Sequence, residues 1–180
     1  KPEFVQGIQG QALLLNGTQS YKSEQKPTLS DKDPFSLVFQ IKPQQPNGTL
    51  LASLTPAQDE SGFRIFLKES HLQINIGPRW LDDAILLRST RQLELNRWSH
   101  IVLTYAGNSD ARDFRLFVNG EPYELEAEFD YLTGGFSFPS PLEFGAYHNE
   151  DPYQGLIDDL KIYNACFSSE RAAMASVRES

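Results

Sequence analysis

Three glutamates at alternate positions, in Glu124-Leu125-Glu126-Ala127-Glu128, are the residues of this sequence with the spacing best suited to catalysis. On an extended strand a period of two puts them on one face. A retaining glycosidase needs two carboxyl groups about 5 Å apart, one as nucleophile and one as acid, and such a face can supply them. The same spacing describes a solvated outer face with Leu125 and Ala127 turned inward. Pro122, just upstream, marks an edge strand, where charge guards against aggregation. The solvated face is the expectation; Glu124, Glu126 and Glu128 are catalytic candidates only under the alternative that the chain is a glycoside hydrolase-like enzyme.

The acidic loops suggest a different chemistry. Asp59-Glu60 precedes one apolar run and Asn149-Glu150-Asp151 follows another, and both offer the hard oxygen ligands of which calcium takes about six to eight. They form a metal site if the two loops converge on one edge of the fold, and are solvated loops otherwise. Asp158-Asp159 is a third acidic pair; adjacent strand residues face opposite ways, so one carboxylate points outward and the other needs a partner. His71, His100 and His148 lie far apart, with no second His or Cys at zinc-ligand spacing. No nucleophile elbow, phosphate loop or dinucleotide fingerprint is present. Trp80, Tyr147 and Tyr153 fall in or near loops and form a candidate aromatic platform for the apolar face of a sugar ring.

These residues must be positioned by strands. Apolar runs recur about every ten residues with turn chemistry between them, the spacing of an all-β sandwich. They are Ala12-Leu15, Phe35-Ile41, Leu50-Leu54, Phe63-Leu67, Leu72-Ile76, Ala84-Arg88, Ser99-Tyr105, Phe114-Val118, Tyr123-Glu128, Leu142-Ala146 and Gly155-Tyr163. Asn119-Gly120, directly behind Leu116-Phe117-Val118, predicts a two-residue hairpin of type I′, whose central residues both need positive φ. Ile101, Leu103 and Tyr105 on one face of their strand, with Val102 and Thr104 on the other, make it apolar enough to lie between layers. Ser168 or Ser169 can cap a short C-terminal helix over Glu170 to Val177, packed on a sheet edge or leading into a following domain. Asn16-Gly17-Thr18 and Asn47-Gly48-Thr49 match the N-glycosylation pattern and equally the chemistry of turns.

The 180 residues suit one domain, and a formal net charge of -8 argues against nucleic acid, whose binding draws on clustered Lys and Arg. Cys166 is alone, so no intrachain disulfide forms. No apolar run reaches the roughly 20 residues of a membrane-spanning helix, so membrane insertion is not expected. Lys1 in place of an initiating Met reads as the boundary of a module belonging to a larger protein.

Taken together, Gly7-Ile8-Gln9-Gly10-Gln11-Ala12-Leu13, Trp98-Ser99-His100 with Thr104-Tyr105, Leu116-Phe117-Val118-Asn119-Gly120 and Gly155-Leu156-Ile157-Asp158-Asp159-Leu160-Lys161-Ile162-Tyr163 resemble the laminin G-like, concanavalin A-like jelly-roll family, in the family's order. Asp33-Pro34-Phe35-Ser36, the stretch from Trp80 to Arg88 and Leu132-Thr133 are similar to laminin G-like domains inside large planctomycete proteins with cytochrome c-type regions. The likeness implies an extracytoplasmic setting; this chain has no Cys-x-x-Cys-His for haem. Pentraxins are more loosely similar, and imply calcium at Asp59, Glu60, Asn149, Glu150 and Asp151. The resulting expectation is an all-β, two-sheet antiparallel jelly roll with a short C-terminal helix, acting as a non-catalytic module. Its partners would be a carbohydrate or protein ligand and the neighbouring domains of the same polypeptide, with calcium as the one candidate cofactor. A purely architectural spacer is the further alternative.

Overall fold

Apolar residues at a period of two favour extended chain with one face turned inward. A computed structural model, which describes residues 1–55, 61–79, 82–148 and 150–179, assembles these segments into two seven-stranded sheets. The first sheet runs β1 (Glu3–Gln6), β2 (Gln11–Asn16), β14 (Gln154–Tyr163), β4 (Phe35–Pro43), β9 (Ser99–Tyr105), β10 (Phe114–Val118) and β11 (Glu121–Tyr123). The second runs β12 (Leu125–Asp130), β8 (Asp83–Gln92), β7 (His71–Arg79), β6 (Gly62–Lys68), β5 (Gly48–Leu54), β13 (Glu143–Phe144) and β3 (Tyr21–Lys22). Pairing is antiparallel throughout both sheets, as expected of a jelly-roll sandwich.

The core lies between the sheets. An aromatic cluster of Phe35, Phe63, Tyr105, Phe114, Phe136 and Phe138 fills one part of it, with ring centroids from 4.5 to 6.4 Å apart. Each such ring contributes about 1.5–3 kcal/mol through burial. The Tyr105 hydroxyl donates to the Asp31 carbonyl at 2.5 Å and accepts from the Ser109 N–H at 2.8 Å; burial pushes its pKa up to about 12.

The hairpin at Asn119 (φ 52°) and Gly120 (φ 81°) has both central residues at positive φ and joins Val118 to Glu121. Two other expectations change. The run Tyr123-Glu128 is not one strand: β11 ends in the first sheet at Tyr123 and β12 begins in the second at Leu125, with Glu124 making the crossing and its carbonyl accepting from the Thr90 N–H at 3.0 Å. The terminal helix, α1 (Ser169–Glu179), packs on a sheet face rather than an edge. It is capped by Ser168, whose hydroxyl accepts from the Arg171 N–H at 3.2 Å, and Phe167 and Ala172 cover Val38, Val102 and Phe117.

At Asp158-Asp159 the strand bulges, and Asp159 turns to positive φ and pairs with Lys161 at 3.2 Å. Asp158 instead packs beside Gly7, taking hydrogen bonds from the backbone of Asp159 and Ile8. The expected division of the pair into one outward and one partnered carboxylate therefore holds. No helix among the described residues is long and apolar enough to cross a membrane.

Candidate functional site: a groove on the outward face of the second sheet

Register decides what this face presents. Thr49, Phe66, Gln73, Arg88 and Glu126 lie opposite one another across β5, β6, β7, β8 and β12, and Ala52, Arg64, Asn75, Leu86 and Phe129 form the adjacent lateral row. The alternate residues, such as Phe63, Ile65, Ile74, Ile85 and Leu87, point into the core. The outward rows hold buried polar groups: Thr49, Arg64, Gln73 and Asn75 are all at most 6% exposed.

Arg64 organises them. Its Nε donates to Thr49 Oγ1 at 3.0 Å, its Nη2 pairs with Asp151 Oδ2, and Thr49 Oγ1 donates to the same carboxylate oxygen at 3.0 Å. The guanidinium carbon lies 4.0 Å from the ring centroid of Phe66 and 4.1 Å from that of Tyr147. Each such cation–π contact is worth about 0.5–2 kcal/mol, and the planar charge suits stacking against rings. A buried cation needs this much compensation, since desolvation of an unpaired charge costs several kcal/mol.

The loop between β13 and β14 supplies the other wall. Tyr147 and Glu150 exchange backbone hydrogen bonds at 3.1 and 2.7 Å, and the Thr49 N–H donates to the Asp151 carbonyl at 2.8 Å. His148 (φ 47°) and Asp151 (φ 45°) both adopt left-handed backbone without being glycine, at a cost of order 1 kcal/mol each. The His148 ring Nε2 lies 3.1 Å from the Thr55 carbonyl, and the Arg64 bonds hold Asp151 in place. Between loop and sheet lies a groove of about 470 Å³, bordered by Asn47, Arg64, Phe66, Gln73, Tyr147 and Asp151. Its size falls in the range of small-ligand sites, about 300–1,000 Å³.

Of the described residues of the proposed aromatic platform, Tyr147 borders this groove and Tyr153 does not. Tyr153 is a correction: it is wholly buried in the core, its hydroxyl donates to the Leu156 carbonyl at 3.1 Å, and burial pushes its pKa up. Trp80 lies outside the described residues. The three glutamates are also corrected as a set, because the sheet crossing and a register shift between Ala127 and Phe129 break their alternation. All three are exposed, and Glu126 stands opposite Arg88. Glu128 borders the groove, 3.9 Å from Arg88 Nε, whereas Glu124 borders a different depression of about 770 Å³ where β10 and β11 meet β12. That second depression is floored by Leu87, Phe114, Leu116 and Leu125 and lacks a comparable set of buried polar groups.

Of the acidic loops, Asp59, Glu60 and Asn149 lie outside the described residues, Glu150 is exposed, and Asp151 is bound to Arg64. A guanidinium on that oxygen is a poor neighbour for calcium, and no cluster of three or more potential ligands occurs among the described residues. The sequon residues serve local structure: Asn16 Oδ1 accepts from the Thr18 N–H at 3.0 Å, Asn47 Oδ1 from the Glu69 N–H at 2.8 Å. Sequence reasoning missed Arg64, Thr49, Phe66 and Gln73. Their signal was the outward phase of strands whose inward residues are apolar, but an outward arginine is ordinary until its partners are known.

A family model described as the concanavalin A-like lectin/glucanases superfamily, a laminin G class, matches residues 15–173. The chain belongs to this family. No curated protein shows significant similarity to it. Among solved structures, this laminin G-like chain is similar to the binding domain of Paraclostridial Mosquitocidal Protein 1, with 19% identity and a TM-score of 0.73 over 97% of the chain. It spans only 45% of that structure. Domain 4 of AbnA, a GH43 extracellular arabinanase from Geobacillus stearothermophilus solved with arabinotriose, is similar over 98% of this chain and 81% of its own, with 18% identity and a TM-score of 0.63. A SAP-like pentraxin from Limulus polyphemus follows at 14% identity, a TM-score of 0.65, and 91% and 80% coverage. At these identities the likenesses establish the fold alone.

Proposed function

We propose that this chain is a non-catalytic carbohydrate-binding module and that the groove on the outward face of the second sheet is its binding site. The observation that carries the reading is the groove wall made by Arg64, Asp151, Gln73 and Tyr147: a buried guanidinium held by Asp151 beside an aromatic ring, with a buried amide next to it, on a sheet face that borders a cavity. Rings supply apolar contact for the face of a sugar, and preset amides and hydroxyls supply partners for its hydroxyl groups. Membership of a lectin/glucanase family and likeness to an arabinanase domain solved with arabinotriose support it. The hydrolase alternative is less favoured, because Glu124 borders a different depression from Glu128, and Glu126 and Glu128 flank Arg88 on an exposed edge strand.

The likeness to a domain of an extracellular enzyme, and to a binding domain more than twice this chain's span, supports a module of a larger extracytoplasmic protein. A glycan array followed by calorimetry tests the reading. The expected outcome is binding of an oligosaccharide that Tyr147→Ala weakens about tenfold, equivalent to about 1.4 kcal/mol. Binding to no glycan, or binding that Tyr147→Ala leaves intact, refutes it.

A further inference from the structure

We propose that the groove selects neutral oligosaccharides and rejects acidic ones; the inference rests on the carbohydrate-binding reading above. Among the described residues, four charged side chains border the groove, Arg64 and Lys68 against Glu128 and Asp151, and their formal charges sum to zero. The arginine that would ordinarily recognise a carboxylate is already engaged. Two of its nitrogens bind Thr49 and Asp151, and its guanidinium carbon lies within 4.1 Å of the ring centroids of both Phe66 and Tyr147. A bidentate fork toward a uronate requires parallel N–H groups along one edge of the guanidinium, and the edge joining Nε and Nη2 is spent inside the protein.

The neighbouring charges cancel as well. Arg88, the next cation on the face, lies 3.9 Å from Glu128 and stands directly opposite Glu126 in the pairing of β8 with β12. Lys68, opposite His71 at the end of β6, is an exposed single ammonium. It acts against the field of a domain with net charge -8, which disfavours the approach of anions. Apart from Lys68, what remains for recognition among the described residues is uncharged: the Asn47 and Gln73 amides and the ring of Tyr147. That combination matches hydroxyl-bearing sugar rings without carboxylate, sulfate or phosphate.

Calorimetry with arabinotriose, cellotriose and galactotriose as neutral probes, and trigalacturonate and sialyllactose as acidic ones, separates the possibilities. The expected result is binding of at least one neutral probe, with acidic probes at least about tenfold weaker because like charges oppose them. The neutral Kd should stay within about twofold between roughly 0.05 and 0.5 M salt, since no ion pair forms with the ligand. Glu128→Gln, which leaves a cation uncompensated, should raise affinity for trigalacturonate. Tighter binding of an acidic probe, or a neutral Kd that weakens steeply with salt, overturns the inference while leaving the carbohydrate reading standing. Binding of none of the five, together with an empty glycan array, overturns both.

Discussion

The two sheets of this sandwich cover their outward faces differently. On the first sheet, Val38, Val102 and Phe117 are covered by Phe167 and Ala172 at the start of α1. Buried polar residues lie on this face as well, Ser36, Gln40, His100 and Thr104, and Ser36 is satisfied twice: its hydroxyl donates to the Ala165 carbonyl at 2.7 Å and accepts from the Phe167 N–H at 2.9 Å. On the second sheet no helix among the described residues lies over Arg64, Phe66 and Gln73, and polar groups are withdrawn from water by one another and by the Tyr147 loop. Val102 at 0% and Arg64 at 6% exposure are almost equally dry. An apolar cover stabilises a fold directly, whereas a buried ion pair roughly breaks even against an apolar substitute. On the proposed reading, the charged Arg64–Asp151 pair serves recognition more than stability.

That contrast can be broken by mutation. Removing the cover should have the largest effect: Phe167→Ala is expected to destabilise by about 3 kcal/mol in chemical denaturation while leaving sugar affinity unchanged at temperatures where the variant is folded. Arg64→Met should cost about 2 kcal/mol of stability, because Asp151 and Thr49 lose a charged partner, and should also abolish most sugar affinity. If its stability falls with affinity intact, the two faces are equivalent and the contrast fails. Tyr147→Ala should do the reverse of Phe167→Ala, lowering affinity about tenfold with a stability change below about 1 kcal/mol. Ser168→Ala, which removes the cap of the covering helix, should cost about 1 kcal/mol or less and leave binding untouched.

The smallest expected effect concerns pH. Burial raises the pKa of Asp158, against the opposing bonds from the Asp159 and Ile8 backbones. A carboxyl whose folded pKa is raised adds stability that is fully present below the ordinary Asp range and is lost as pH rises through the folded value. Denaturation of Asp158→Asn across about pH 3 to 7 should show that decline flattened relative to the parent.

How much of this could be read from residues alone follows from the range of the forces involved. The Asn119-Gly120 turn, the strand periods and the Ser168 cap are local, decided by dihedral preferences and neighbouring side chains, and they were legible. The crossing at Glu124 was not, because the alternation of Tyr123 to Glu128 looks the same whether the strand stays in one sheet or changes to another. Helix α1 was legible as a helix, but its seat on a face depended on Val38, Val102 and Phe117 from three separate strands. Tyr153 misled for a related reason: it follows a polar loop, yet the chain turns inward there and takes its ring into the core. The site was the least legible part. Arg64 and Asp151 are 87 residues apart, and nothing local to either announces the pair.

The most direct test of the central claim is amide chemical-shift mapping during titration with the neutral oligosaccharide that binds in the array. Saturable shifts are expected to concentrate at Arg64, Phe66, Gln73 and Tyr147 and at Thr49 beneath them, with little change around Phe114, Leu116 and Leu125. Shifts confined to that second depression between β10 and β12, with the Arg64 face silent, would contradict it.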